Sequence, residues 1–239
     1  MQRLQHNQIH HNDKNDNINI NVLLHDLFNV VVLSIISLLN TTYLLLVITN
    51  IYDIIEINLF PIILYSFIGY IIIDSLLIYH YPCCVVSKPR DLLLHHGITL
   101  IVCLSPMIEK YFEWHAGLAL TVEIQTVFLT LRRLIINKTL ILYTVINTVF
   151  YSLFIIFRVF IFPILTVYYY IEHQKYSVKC NTQINIAITS VTGFFIITLM
   201  GFMWIYKFLT KNTSSTSMKG EIYTMVNNNI PFCSIKKNI

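Results

Sequence analysis

LFPIILYSFIGYIIIDSLLIYHY, residues 59–81, is a run of twenty-three residues in which one formal charge, Asp74, interrupts an otherwise apolar stretch. A helix rises about 1.5 Å per residue, so about 20 apolar residues cover the hydrocarbon core of a bilayer. The run has no polar side to offer water, and it therefore predicts a membrane-crossing helix rather than an amphipathic helix on a soluble core. Asp74 is then an acid at membrane depth.

Working outward, five further stretches read the same way: 22–48, 92–108, 115–131, 140–171 and 186–206. The fold class expected is all-α, a multi-pass transmembrane bundle of about six helices. Residues 1–21 read as a polar cytosolic tail, 22–209 as the bundle and 210–239 as a second cytosolic tail. The third and fourth spans are joined only by EKYFEW and should form a tight antiparallel pair. Pro163 falls inside the long fifth stretch, where it removes a helical hydrogen bond and predicts a kink or two half-helices.

Composition agrees with lipid as the main solvent. The chain has 239 residues, 56% hydrophobic and 12% charged, against about 25% charged in soluble domains. Of the sixteen basic residues all but Arg158 lie in loops and tails rather than along one stripe, which excludes a nucleic-acid surface. Cys83, Cys84, Cys103, Cys180 and Cys233 show no paired spacing, so no disulfide framework or metal site is implied. His6, His10 and His11 sit in a low-complexity tail and receive no role.

Loop charge orients the bundle, because Lys and Arg accumulate on the cytosolic side. With the amino terminus cytosolic, inside segments carry Arg3, Lys14, Lys88, Arg90, Arg132, Arg133, Lys138, Lys207, Lys211, Lys219, Lys236 and Lys237, and outside loops carry Lys110, Lys175 and Lys179. Twelve against three supports an even number of spans with both termini cytosolic. Lys236-Lys237-Asn238-Ile239 at the end of the chain is similar to the dilysine signal that retrieves membrane proteins to the endoplasmic reticulum. Cys83-Cys84, just past the second span, are placed for reversible palmitoylation, or are ordinary interfacial cysteines.

Ionisable residues inside spans are functional candidates by default, since charge at that depth costs several kcal/mol unless it is paired or hydrated. Asp74, His95, His96, Glu123 and Arg158 form the set. Counting at about 1.5 Å per residue places Asp74, the histidine pair and Glu123 in one layer, about 6 to 12 Å from the cytosolic side. Adjacent helical residues point about 100° apart, so one histidine can face an acid squarely while the other turns to a neighbouring groove. A histidine bonded to a carboxylate can act as a general base; equally, the same groups can bond across helices and hold the bundle together. Glu123 or a lipid phosphate is the expected partner of Arg158.

These residues carry a resemblance. Gly69-Tyr70 with Asp74, Pro89-Arg90-Asp91 leading to His95-His96 and Thr99, Thr121-Val122-Glu123 with Phe128-Leu129-Thr130-Leu131-Arg132, and Arg158 followed by Pro163 resemble the TLC-domain family, which includes the ceramide synthases. The likeness covers roughly 60–210, its most specific element being the double histidine twenty-eight residues before Glu123. It implies a histidine-lined cavity between helices, where synthases hand an acyl chain from coenzyme A to a sphingoid amine. The pattern departs where a second histidine-aspartate pair would stand: the chain reads Val122-Glu123, with Thr126 in place of the following aspartate.

That departure places the chain nearer the TLC-domain proteins that lack the full synthase motif, for which the resemblance implies a role in membrane lipid homeostasis in the endoplasmic reticulum. In this reading the partner is membrane lipid, bound or sensed through Asp74, His95, His96, Glu123 and Arg158, with no cofactor and no indicated protein partner. The alternative is an acyl-CoA-dependent N-acyltransferase using His95 or His96 with Glu123, acyl-CoA being a co-substrate. Lys88, Arg90, Arg132 and Arg133 would then steer the coenzyme phosphates, although topology alone also accounts for them. An ion-coupled transporter would use the same buried charges, but no internal repeat accompanies them.

Overall fold

A computed structural model describes residues 20–50, 58–85, 88–135, 138–180 and 187–214. The expectations placed on the amino-terminal tail with His6, His10 and His11, and on Lys236-Lys237, lie outside the described residues.

Among the described residues the chain is helical and contains no strand. The helices are α1 (Ile20–Ile48), α2 (Leu59–His80), α3 (Pro89–Val102), α4 (Leu104–Ile108), α5 (Glu113–Leu120), α6 (Glu123–Leu134), α7 (Ile141–Ile155), α8 (Phe162–Cys180) and α9 (Ala187–Ser214). Among the described residues, five helical stretches are long and apolar enough to cross a membrane: Ile20–Ile48, Leu59–His80, Pro89–Ile108, Ile141–Lys179 and Ile188–Tyr206. The stretch expected as the fourth span is two shorter helices, α5 and α6, each too short to span alone.

Local chemistry explains the breaks. α3 starts on Pro89 and runs fourteen residues, and a one-residue pause at Cys103 leads into α4 with Pro106 inside. Between α5 and α6 the backbone tightens: Thr121 N–H bonds Leu118 O at 3.3 Å and Val122 N–H bonds Ala119 O at 3.2 Å. The Thr121 hydroxyl also donates to Leu118 O at 2.6 Å, competing for the same carbonyl and favouring the local turn.

The fifth crossing does not separate into half-helices at Pro163. It continues as one stretch of 39 residues with a π-helical turn, Ile156–Ile161, inserted just before the proline. A proline ring clashes with the carbonyl four residues back, here Val159, and the wider π turn relieves that clash without breaking the helix.

Packing closes the spans into a ring. α1 lies against α2, α5 and α6; α2 against α3; α3 against α9; α9 against α8 and the π turn; and α7 against α6. Leu33, Tyr43, Phe60, Phe67 and Leu120 belong to one buried cluster, and Ile98, Phe112, Phe157, Tyr169 and Phe194 to a second. At Gly117 α5 comes so near α1 that a Cβ would stand 2.9 Å from the Tyr43 ring. That closeness lets Asn40 donate to Gly117 O at 2.9 Å. Outward faces carry exposed Leu38, Tyr79, Ile141 and Ile164, the arrangement expected when lipid covers the bundle.

Candidate functional site

Among the described residues the sequence candidates fall into two polar centres, and the neighbours His95 and His96 belong to different ones.

The peripheral centre sits where α1, α2, α3 and α6 meet. Asp74 on α2, 2% exposed, is reached by His25 from α1 and His96 from α3: His25 Nε2 is 2.7 Å from Oδ1, and His96 Nε2 is 3.5 Å from Oδ2. The other ring nitrogen of His96 lies 3.0 Å from Ser75 Oγ. Asp26, beside His25, accepts from Arg133 Nη2 at 2.7 Å. Asn29 approaches His25 Nδ1 at 3.4 Å and accepts from the Tyr70 hydroxyl at 3.2 Å. The carboxylates in this centre are therefore paired, α2 and α6 are fastened directly to α1, and α3 is fastened to α2. Such a network is strong because each member satisfies another.

The central centre lies inside the ring. A cavity of about 40 Å³ is lined by residues of α2, α3, α5, α6, α8 and α9, with His95, Thr99 and Glu123 set among apolar Phe67, Phe162 and Phe194. The Thr126 hydroxyl bonds the Glu123 carboxylate, and Arg158 lies within electrostatic range of it. No ion pair within 4.0 Å joins Glu123 and Arg158.

Arg158 projects from the π turn and is 6% exposed. Its stem lies on Gly201, where a Cβ would stand 3.3 Å from Arg158 Cδ. Its guanidinium is held between the Phe162 and Trp204 rings, 5.2 Å from each centroid. Yet Nε and Nη1 are buried without a hydrogen-bond partner, as is His95 Nδ1. The edge of Trp204 meets His95 with ring centroids 6.0 Å apart. Arg132 shows the contrast, since its Nη1 donates to Asn147 Oδ1 and Tyr151 Oη, both at 3.1 Å.

A further cluster lies at the opposite end of the bundle. Tyr111 donates to Glu172, which also accepts from Lys175 Nζ at 2.8 Å. The Glu172 carboxylate raises the Tyr111 phenol to about 12. His115 is packed beside Tyr111, Phe112, Tyr168 and Tyr169. Near the peripheral centre, burial pushes the Cys84 thiol up to about 11, which opposes thiolate formation and hence acylation at that residue.

The five sequence candidates are thus divided. Asp74 and His96 meet in the peripheral centre, whereas His95, Glu123 and Arg158 face or flank the cavity. His25, Asp26 and Asn29 were not singled out by sequence reasoning, and Tyr70 and Arg133 entered it only through the family resemblance and as a loop cation. The available signal was a second histidine–acid neighbour, His25-Asp26, within the first apolar run. Among the described residues no three His, Cys, Asp or Glu side chains converge as metal ligands.

A family model described as the TLC domain matches residues 29–210. No curated protein and no solved structure matches the chain.

Proposed function

This chain belongs to the TLC-domain family, and on that premise we propose that it acts in membrane lipid homeostasis, binding lipid at the central cavity through His95, Glu123 and Arg158. One observation carries this reading: His95 Nδ1, on a residue that lines the cavity, and Arg158 Nε and Nη1, on a guanidinium lying over the Phe162 ring that also lines it, are buried without partners. A buried polar atom without a partner costs about 1–3 kcal/mol, more when charged. A bound polar head group recovers that cost. The peripheral centre has its partners already and serves as a structural clamp.

The endoplasmic reticulum is the compartment we assign from the family resemblance, with both termini cytosolic, as the loop-charge asymmetry supports. Deleting the gene should shift cellular phospholipid or sphingolipid acyl profiles. Wild-type protein should restore them, and Arg158→Met protein, shown to reach the membrane, should not. An unchanged lipid profile overturns the reading.

The free ring nitrogen of His95 favours a second reading, an acyl-CoA-dependent N-acyltransferase. A lipid amine would attack the thioester carbonyl, His95 would take the amine proton, and the C–S bond would break. The departing thiolate would receive that proton, giving amide and free thiol. Microsomes from cells lacking ceramide synthases separate the two readings: labelled amide formed from acyl-CoA and lost in His95→Ala establishes the transferase, and no product above background leaves lipid binding.

A further inference from the structure

Two pairs of cations stand at helix ends, Lys88 with Arg90 and Arg132 with Arg133, and the fold uses them differently. Arg132 donates to Asn147 and Tyr151, and Arg133 donates to Asp26, so both are held within the protein. The side chains of Lys88 and Arg90 have no hydrogen-bond acceptor and no carboxylate within 4.0 Å among the described residues. Topology asks only that a cation stand in the loop. It gives no reason for a cavity beside it.

Lys88 and Arg90 border such a cavity. A groove of about 610 Å³ lies between the end of α2 and the start of α3, lined by apolar Ile78 and Leu93 and by Tyr79, Lys88, Arg90 and Asp91. That volume falls in the range of ligand clefts. Both helices are apolar enough to cross a membrane, Leu59–His80 and Pro89–Ile108, so the groove opens at the boundary where lipid phosphates lie. One turn deeper stand Leu76, three residues before Tyr79, and Leu94, four residues after Arg90, both more than half exposed. A ligand with its phosphate between the cations thus has apolar surface beneath it for acyl chains, which a soluble phosphate would leave bare.

Charge narrows the head group. Two cations against one carboxylate leave one positive charge uncompensated around the groove, and a phosphodiester carries the single negative charge that meets it. Asp91, in the first turn of α3, forms no ion pair with either cation and offers only acceptors. It calls for a donor in the head group. Choline has no N–H or O–H to give, and the carboxylate of a serine head would face Asp91 with like charge. A polyol head supplies hydroxyls and no second charge.

We infer that the α2–α3 groove binds an anionic phospholipid with a polyol head group, for which phosphatidylinositol is the probe. The phosphate oxygens accept from Lys88 and Arg90, a head-group hydroxyl donates to Asp91, and the acyl chains descend over Leu76 and Leu94. Basic pockets between membrane helices take anionic head groups in this way. The groove shares no lining residue with the central cavity, so the inference stands apart from the lipid-binding reading above. Occupancy ties α2 to the start of α3, the helix that carries His95 and His96.

The test uses the full chain in phosphatidylcholine nanodiscs doped in turn with diazirine-bearing phosphatidylinositol, phosphatidylserine and phosphatidylcholine. Labelling of peptides covering residues 76–94 is measured against a lipid-facing α7 peptide as background. Phosphatidylinositol should exceed phosphatidylcholine by about fivefold, the worth of one uncompensated basic charge near a membrane surface. Lys88→Gln or Arg90→Gln leaves the groove neutral and should erase most of that preference. Both residues are exposed, so their variants test binding in a folded chain. Asp91→Asn should keep the preference for anionic lipid and raise phosphatidylserine to the level of phosphatidylinositol. Lys138→Gln removes the same charge from an exposed position outside the groove and should change nothing.

Equal labelling by phosphatidylinositol and phosphatidylcholine overturns the inference. So does a loss in Lys138→Gln as large as that in Lys88→Gln, which would make the preference one of overall loop charge. Phosphatidylserine remaining below phosphatidylinositol in Asp91→Asn overturns the polyol assignment. Displacement of the label by coenzyme A overturns the lipid assignment and gives the groove to a soluble phosphate ligand.

Discussion

His95 and His96 share a helix and a peptide bond, yet His96 is bonded to Asp74 and Ser75 while His95 has a ring nitrogen with no partner. The same contrast separates the two centres as wholes. At the periphery, His25, Asp74, His96, Asp26 and Arg133 each meet an oppositely charged or titratable partner inside the protein, and Arg133 Nε is the atom of these five left without one. At the cavity, Arg158 has aromatic rings on its faces but no acceptor at Nε or Nη1. Pairing inside the protein is what a structural clamp needs, and lack of pairing is what a binding site needs. The difference between the centres is one of saturation rather than residue type.

The largest expected effect breaks the comparison if it fails. Asp74→Ala strands His25 and His96 and should cost about 3–5 kcal/mol, the usual consequence of removing one partner from a buried pair. Arg158→Met removes a cation whose Nε and Nη1 lack partners but also takes the opposite charge from the range of Glu123, and should cost less than Asp74→Ala. Thermal unfolding followed by fluorescence-detected size exclusion measures both. A stable Asp74→Ala protein beside an unfolded Arg158→Met protein would reverse the assignment of clamp and site.

Arg133 is next, because its link to Asp26 ties α6 to α1 but is partly exposed. Arg133→Gln should cost about 2 kcal/mol, in the range of charge-assisted hydrogen bonds. A double-mutant cycle with Asp26→Asn should recover most of that cost as coupling; additive losses would show that the two residues act separately. Ser75→Ala, which removes the hydroxyl beside His96, should cost about 1 kcal/mol. If it instead abolished lipid labelling with stability unchanged, the peripheral centre would belong to the binding machinery.

The smallest effect concerns Tyr111 at the far end. Its phenol is raised from the ordinary 10 to about 12, first by its hydrogen bond to Glu172. A raised folded value contributes stability that is complete below pH 10 and is lost as pH rises towards about 12. Unfolding midpoints should therefore fall across that window in the wild type and fall less in Tyr111→Phe. Parallel curves would remove the Tyr111–Glu172 bond from the account.

Much of the fold was legible in sequence because burial in lipid is a property of consecutive residues. Runs such as 59–81 declare themselves by length and lack of charge. The fourth crossing was legible as one apolar stretch, but not its break at Thr121 and Val122, which depends on a local contest for Leu118 O. Pro163 marked a disturbance in the fifth, while its form as a π turn depends on keeping α8 packed against α9.

The candidate site was legible as a set of residue types and not as an arrangement. Asp74, His95, His96, Glu123 and Arg158 stand out because each is out of place in lipid. His25 and Asp26 were overlooked because they sit near the start of a span, where polar residues excite no suspicion, and His25 meets Asp74 across forty-nine positions of chain.

By itself, the sequence determined the solvent of this protein, its multi-pass helical form and the identities of its costly polar groups, because hydrophobic length and intramembrane charge are written residue by residue. Only the tertiary structure decided which of those groups would satisfy one another. That depends on the order of helices around the ring and the rotation of α3, which turns one histidine to Asp74 and its neighbour to the cavity. Hydrogen bonds act at about 3 Å, and no count along the chain reaches across a bundle with that accuracy.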